Sequence, residues 1–368
     1  DDLGSGGESR VSPEPHRAGG RRGVPCRPVH RAGLLLHHPP APAPAGATGG
    51  APPFPPPAIE VSFPDISRWE AGNTGIPYVW TFASPEPGPH VVVQALTHGN
   101  EVCGAIAVDA LLAEGLRPAR GTLTFAFANV AAYEAFDHAD PYASRCVDED
   151  FNRLWSDDVL DGPRRSHDLA RARELRPVID SAEALLDLHS MTDPCPPLAL
   201  AGTRAKGLAL ARAVGVPVHI VIDAGHAAGR RVRDYAFFDD PADPRAALLV
   251  ECGQHWERAA PEVALEATIR FLMHHGTMRS EDAQARLGET SPPPQRAIAV
   301  TDAVTIRSER FAFAMPVHGL KVVPKAGTLL ATDGGADVRT PHDDCVLIMP
   351  TRKPKLGETA VRLGRFVD

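Results

Sequence analysis

This 368-residue chain is short of several things, and each shortage excludes a class of protein. Cysteine is sparse, at Cys26, Cys103, Cys146, Cys195, Cys252 and Cys345, with no Cys-x-x-Cys pair. A chain of this length needs no disulfide staples, so reduced thiols in a cytoplasmic protein are expected. No apolar run approaches the roughly 18 residues of a membrane span. Leu34-Leu35-Leu36 is too short for a signal-peptide core and runs into His37-His38. Basic residues are not in excess. The net charge of -8 argues against a nucleic-acid or anionic-membrane partner, yet leaves room for a locally basic pocket. His-Glu-x-x-His, Gly-x-Ser-x-Gly, Walker A and Gly-x-Gly-x-x-Gly patterns are also missing.

Proline, by contrast, is abundant, with 37 residues crowded toward the start. Residues 1–57 are rich in Gly, Pro, Ala and Arg and show no apolar period. Such a segment buries too little surface to offset the entropy of ordering, so it reads as a disordered extension. Order is expected from Ala58. Strands are expected at 78–82, 91–96, 122–128, 184–188, 218–222 and 247–250, and helices at 102–112, 166–176 and 262–275. Ser166 is the expected N-cap of the second helix and Pro177 its interruption. Alternating strands and helices imply an α/β domain over 58–290, with a mixed central sheet flanked by helices. Ser291-Pro292-Pro293-Pro294 reads as a linker, and 291–368 as a small all-β module.

Four residues carry the chemistry. His98-Gly-Asn-Glu101 follows the first long apolar strand, His189 closes the run Ala184-Leu-Leu-Asp-Leu188, and Glu251 closes Ala247-Leu-Leu-Val250. Active sites of open α/β sheets lie at the carboxyl ends of strands, so these residues can converge. Two histidines and a carboxylate make a catalytic zinc set, and a further glutamate is the usual base. His98, Glu101 and His189 are therefore the expected ligands of one Zn2+ per chain. Glu251 is the expected general base, in a partly buried setting that raises a carboxylate pKa. Arg145 can stabilise charge on a carbonyl oxygen, and Arg153 with Asn152 can clasp a substrate carboxylate. The competing reading of Arg145, Asp148, Glu149, Asp150 and Arg153 is a set of surface salt bridges, which composition alone favours. Cys252-Gly-Gln-His255 has ligand-like spacing, but no second pair lies nearby to complete a structural zinc site.

Taken together, the segments resemble the succinylglutamate desuccinylase/aspartoacylase family, a branch of the zinc carboxypeptidase-like enzymes. The resemblance covers roughly 77–275. It rests on Thr97-His98-Gly-Asn-Glu101, Arg145 with Asp150-Phe-Asn152-Arg153, Asp187-Leu-His189-Ser, and Val250-Glu251-Cys-Gly253. It implies a zinc carboxypeptidase-like fold and a zinc-dependent amidohydrolase that removes an acyl group from an N-acyl amino acid or related small amine. It further implies zinc on His98, Glu101 and His189, Glu251 as base, Arg145 on the scissile carbonyl, and Asn152 and Arg153 on a substrate carboxylate. A peptide-cleaving metallocarboxypeptidase is the near rival, and a non-catalytic metal- or partner-binding protein the distant one.

The chain departs from the family pattern in two places. Asn129-Val130 stands where the family often has Asn-Pro, and no tyrosine follows Tyr235 to serve as the aspartoacylases' C-terminal pocket tyrosine. Arg230, Arg231 and Arg233 are candidates for a further anion contact and Tyr235 for lining the pocket, against a reading as exposed loop residues. The tail from Gly327 to Glu358 resembles a biotinyl/lipoyl-type barrel sandwich without the cofactor lysine. It is expected to cover the pocket or to make a subunit contact, which leaves homo-oligomerisation open.

Overall fold

Strands buried on both faces read as unbroken apolar runs, and the central strands here do so. In this computed structural model, which describes residues 57–226, 228–288 and 291–367, they form the middle of one large sheet. The chain opens with β1 (Val79–Ala83), β2 (His90–Ala95), helix α1 (Cys103–Ala113) and β3 (Thr122–Phe127). Short helices α2 (Val130–Glu134) and α3 (Asp157–Leu160) precede α4 (His167–Asp180), β4 (Ala184–Met191) and β5 (Leu198–Leu200). Then come α5 (Ala205–Val214), β6 (His219–Ile222), β7 (Ala246–Gln254), α6 (Ala259–His274) and α7 (Ser280–Leu287). The rest is strand: β8 (Arg296–Thr305), β9 (Ala312–Phe313), β10 (Lys321–Val323), β11 (Leu329–Asp333), β12 (Ala336–Arg339), β13 (Cys345–Ile348) and β14 (Thr359–Val367). The expected disorder of residues 1–57 falls, but for Pro57, outside the described residues.

The sheet order is β1-β3-β2-β4-β7-β5-β6-β8-β14-β13-β10. It is mixed: β3, β2, β4 and β7 are parallel, whereas β5 pairs antiparallel with β7 and parallel with β6. The C-terminal strands are antiparallel to one another, and β8 joins them to the rest of the sheet by parallel pairing with β6. A second sheet, β12-β11-β9, stands beside them.

Because strand side chains alternate, each central strand feeds two cores. Val91, Val93, Leu186, Leu188, Leu248 and Val250 pack with α1 and α6 on one face. Val92, Leu185 and Ala247 pack with Leu169 and Leu175 of α4 on the other. Farther along that second face, Leu249 joins Leu198, Val221 and Ile348. Between these two apolar patches lie the polar residues of the same face, Asp187, His189 and Glu251, all buried.

Three details depart from the sequence reading. Ser166 does cap α4, accepting from Leu169 N at 2.9 Å, but the helix runs through Pro177 to Asp180. An interior proline costs about 3 kcal/mol, and burial of Val178 and Ile179 in the α4 core offsets it. β4 and β7 extend past the predicted ends, so His189 and Glu251 lie inside strands near their carboxyl ends. Cys103, Cys195, Cys252 and Cys345 are free thiols, whereas Cys146 is disulfide-bonded, against the expectation of reduced cysteines.

Candidate metal centre and active site

The loop after β2 turns sharply. Leu96 adopts a positive φ of 58°, and Gly99 sits where a Cβ would lie 2.2 Å from the Ala132 carbonyl carbon and 2.5 Å from the Ser144 oxygen. Only glycine allows that approach. Gly99 N donates to the Arg145 carbonyl at 3.1 Å, tying the His98–Glu101 turn to the segment that carries Arg145.

His98, Glu101 and His189 converge in a buried group whose ligand atoms lie within 4.8 Å of one another. Glu101 lies between the rings, with Oε1 2.7 Å from His98 Nδ1 and Oε2 2.8 Å from His189 Nδ1. Each outer nitrogen meets another carboxylate: His98 Nε2 is 2.9 Å from Asp150 and His189 Nε2 is 2.9 Å from Asp187. Asp187 is itself held by Thr97 Oγ1 at 2.7 Å and Gln94 Nε2 at 3.3 Å. Carboxylates behind metal-ligating imidazoles fix ring orientation and raise ligand basicity. The donor set therefore fits a metal ion, and its two imidazoles and carboxylate suit zinc.

Glu251 is paired in register with His189 across β4 and β7, on the same sheet face. Burial, with Glu101 nearby, pushes its carboxyl up to about 8 despite the opposing charges of His189 and Arg145. Its Oε2 is buried without a hydrogen-bond partner among the described residues. Burial works against ionisation of Glu101 too, but His98 and His189 hold it well below the usual range. Arg145 reaches Glu101 and Asp150, at 3.1 Å each. Burial disfavours its charge, and the two carboxylates overcome that and raise its pKa. Asn152 Oδ1 accepts from Val232 N at 2.9 Å, and Arg153 stands 3.7 Å from Asp150.

His98, Glu101, Arg145, Asn152, Arg153, His189 and Glu251 line one cavity of about 150 Å³, together with Ser190, Met191, Thr192, Asp223, His226, Arg231, Ile348, Met349 and Arg362. Of the salt bridges expected among Arg145, Asp148, Glu149, Asp150 and Arg153, Arg145–Asp150 and Arg153–Asp150 form beside this cavity, whereas Asp148 meets His167 and Glu149 meets Arg164. Arg231 is a wall residue, buried and bidentate to Asp223 at 2.9 and 3.1 Å. Arg233 is buried on the Ala201 and Ala247 carbonyls, Arg230 is an exposed loop residue, and Tyr235 packs on Trp155 away from the cavity.

Sequence reasoning missed four contributors. Asp187 and Asp150 back the histidines. Asp168, at the first turn of α4, accepts from Asn129 Nδ2 at 2.6 Å and from Val147, Asp148 and Glu149 N at 2.7 to 3.2 Å. Asn129 thus has a clear task without the proline: with Asp168 it pins the loop that presents Arg145 and Arg153. The fourth contributor is Arg362 of β14, which brings the tail into the cavity.

Comparison with known proteins bears on the family and the fold. The sequence profile of the succinylglutamate desuccinylase/aspartoacylase catalytic domain matches residues 87–258. Residues 87–258 are thus similar to the catalytic domain of this family. The match spans every predicted ligand and site residue, from His98 to Glu251. Among solved structures, a succinylglutamate desuccinylase from Vibrio parahaemolyticus shares the fold at TM-score 0.59 and 17% identity, over 79% of this chain and 87% of that one. One from Vibrio cholerae does so at 0.59 and 16%, over 79% and 89%. The product-bound ectoine utilization protein EutE (DoeB) from Ruegeria pomeroyi does so at 0.58 and 17%, over 78% and 88%. No curated protein matches the sequence. Among the described residues, no helix is long and apolar enough to cross a membrane.

Proposed function

We propose that this protein is a zinc-dependent amidohydrolase that cleaves the amide bond of an N-acyl amino acid or a related small N-acyl amine. The observation that carries this reading is the meeting, in one small cavity, of a His-Glu-His donor set, an unpartnered buried glutamate and an arginine. His98, Glu101 and His189 are the residues that would hold the ion. Zinc held there would supply a Lewis acid for water and carbonyl.

The chain's own residues do the rest. Glu251 takes a proton from the attacking water as its oxygen bonds to the acyl carbon, then passes that proton to the nitrogen as the C–N bond breaks. Arg145 stabilises the negative charge that builds on the carbonyl oxygen. Arg153 and Asn152 hold a carboxylate of the substrate, with Asp168 keeping their loop in place. Asp187 and Asp150 keep the two imidazoles aimed inward. A cavity of about 150 Å³ is below the usual range of roughly 300–1,000 Å³ for ligand sites, which favours a small substrate over a peptide.

The test is hydrolysis of a panel of acetyl-, succinyl- and other N-acyl amino acids by zinc-loaded protein, with short peptides alongside. Turnover of at least one N-acyl amino acid is expected. Turnover of the peptides alone would move the protein to the carboxypeptidase reading, and no turnover of either would remove the enzyme reading.

A further inference from the structure

Beside the cavity of the metal centre lies a second one, also of about 150 Å³, that the reaction as described leaves unused. The two share a wall: Met191, Thr192 and Met349 line both. Met191 ends β4, two residues past His189, so this annex begins where the strand of the metal centre leaves the sheet. Its other side comes from the tail, from Val317 before β10 and from Pro350 and Arg352 after β13. None of the metal-donor residues, Arg145, Asn152, Arg153 or Glu251 lines it.

The annex is apolar where the first cavity is charged. Met191, Cys195 and Met349 belong to one apolar cluster. Burial, with Glu251 and Glu257 adding to it, pushes the Cys195 thiol up to about 12, so it stays neutral and acts as a small apolar group. The carboxylate and the guanidinium in the walls engage each other: Arg352 Nε stands 3.3 Å from Asp193 Oδ1, and Arg352 N donates to Asp193 Oδ2 at 3.2 Å. That pair also ties the tail to the loop after β4. Unbranched methionines on the shared wall change rotamer easily, which keeps the partition passable. Met349 holds a φ of 49°, a left-handed conformation that costs a non-glycine residue energy and gathers at ligand sites.

Ligand sites usually begin at roughly 300 Å³; the first cavity alone falls short of that, and the two spaces joined reach it. We infer that the annex is the acyl subsite of the amide hydrolysis and takes a medium-length, unbranched aliphatic acyl chain. The inference rests on the hydrolase reading and adds the class of acyl group to it. In that reading Arg153 and Asn152 hold the carboxylate of the amino-acid half. Neither borders the annex, so the half that enters it is the acyl chain. Val317 and Met349, both from the tail, set the length of chain admitted.

Binding of N-ethyl-, N-butyl- and N-hexylglycine to the full-length protein, by calorimetry, tests this without turnover, because these ligands keep the carboxylate and the chain but have no amide to cleave. Each step of two methylenes is expected to tighten binding on the order of tenfold, the effect of burying that much apolar chain. Val317→Phe fills the annex from the tail side and should bring N-hexylglycine down to the affinity of N-ethylglycine. N-hexylglycine bound no tighter than N-ethylglycine by the wild type would overturn the inference, and that measurement needs no variant to fold. So would a Val317→Phe protein, folded by its melting transition, that keeps the full ladder of affinities. Chain-length selectivity in a protein that hydrolyses no N-acyl amino acid would remove the hydrolase reading and leave the annex as a binding site; turnover of N-acyl amino acids without that selectivity would remove only the acyl subsite.

Discussion

The two polar clusters of the cavity are built in opposite ways. The metal cluster comes from three neighbouring parallel strands and the turn after one of them, with His189 and Glu251 in register on one sheet face. Every nitrogen of its histidines has a carboxylate partner. The arginine cluster, Arg231 and Arg362, comes from a loop and from β14, distant in sequence, and its two guanidiniums share Asp223. The first cluster is preorganised by the sheet in a form that suits an ion; the second is held together by loop and tail around Asp223. Chemistry on such a fold stays with the sheet, while ligand choice is free to shift with loops and appended strands.

The sharpest way to break the first half of that comparison is to remove a ligand. His189→Ala should abolish stoichiometric zinc binding and with it all turnover, because two remaining donors do not hold a catalytic zinc. Elemental analysis checks it, and full metal occupancy in the variant would refute the ligand set. Next in size is Glu251→Gln. It keeps the donors intact, so zinc content should be unchanged while kcat falls about 10²- to 10⁴-fold, the usual worth of a positioned base. A fall in zinc content equal to the fall in kcat would instead make Glu251 a ligand.

A smaller effect separates orientation from ligation. Asp187 touches His189 and not the centre of the donor group. Asp187→Asn should weaken zinc affinity by about 10- to 100-fold, the usual cost of losing such a carboxylate. Competition with a chromogenic chelator measures it, and an unchanged affinity would mean that the sheet alone fixes the His189 ring.

What could be read in the sequence follows the same division. His98 and Glu101 are three residues apart, and His189 and Glu251 end apolar runs, so local pattern was enough to find them. Asp187 was legible too, since residues i and i+2 of a strand share a face, and Asp187 is two residues before His189. Asp168 was not. Its target is the backbone of 147–149, about twenty residues earlier, and no periodicity records where a helix start meets a distant loop. Arg362 lay beyond reach for the same reason: its partner His226 is 136 residues away. In the fold, β5 and α5 went unread. β5 is three residues long, and Gly207 interrupts the helical pattern of α5 because a Cβ there would strike the Ala201 carbonyl oxygen at 2.0 Å.

A further expected effect, indirect because it bears on stability in the absence of metal, tests whether Glu251 is as isolated as its unpartnered oxygen implies. Burial and Glu101 raise its pKa from an ordinary 4.5 to about 8. Between those values the folded state keeps the proton and the unfolded chain has lost it, so the unfolded state binds fewer protons. Stability from this group is then fully present below about pH 4.5 and declines as pH rises toward 8, by at most about 1.4 kcal/mol per pH unit. Glu251→Gln removes the titration. The metal-free variant should therefore melt close to the wild type at pH 5 and above it at pH 8, with the gap widening steadily between. A constant gap would mean that Glu251 already ionises in the folded protein with a partner of its own, and the cavity would then lack a free base for water.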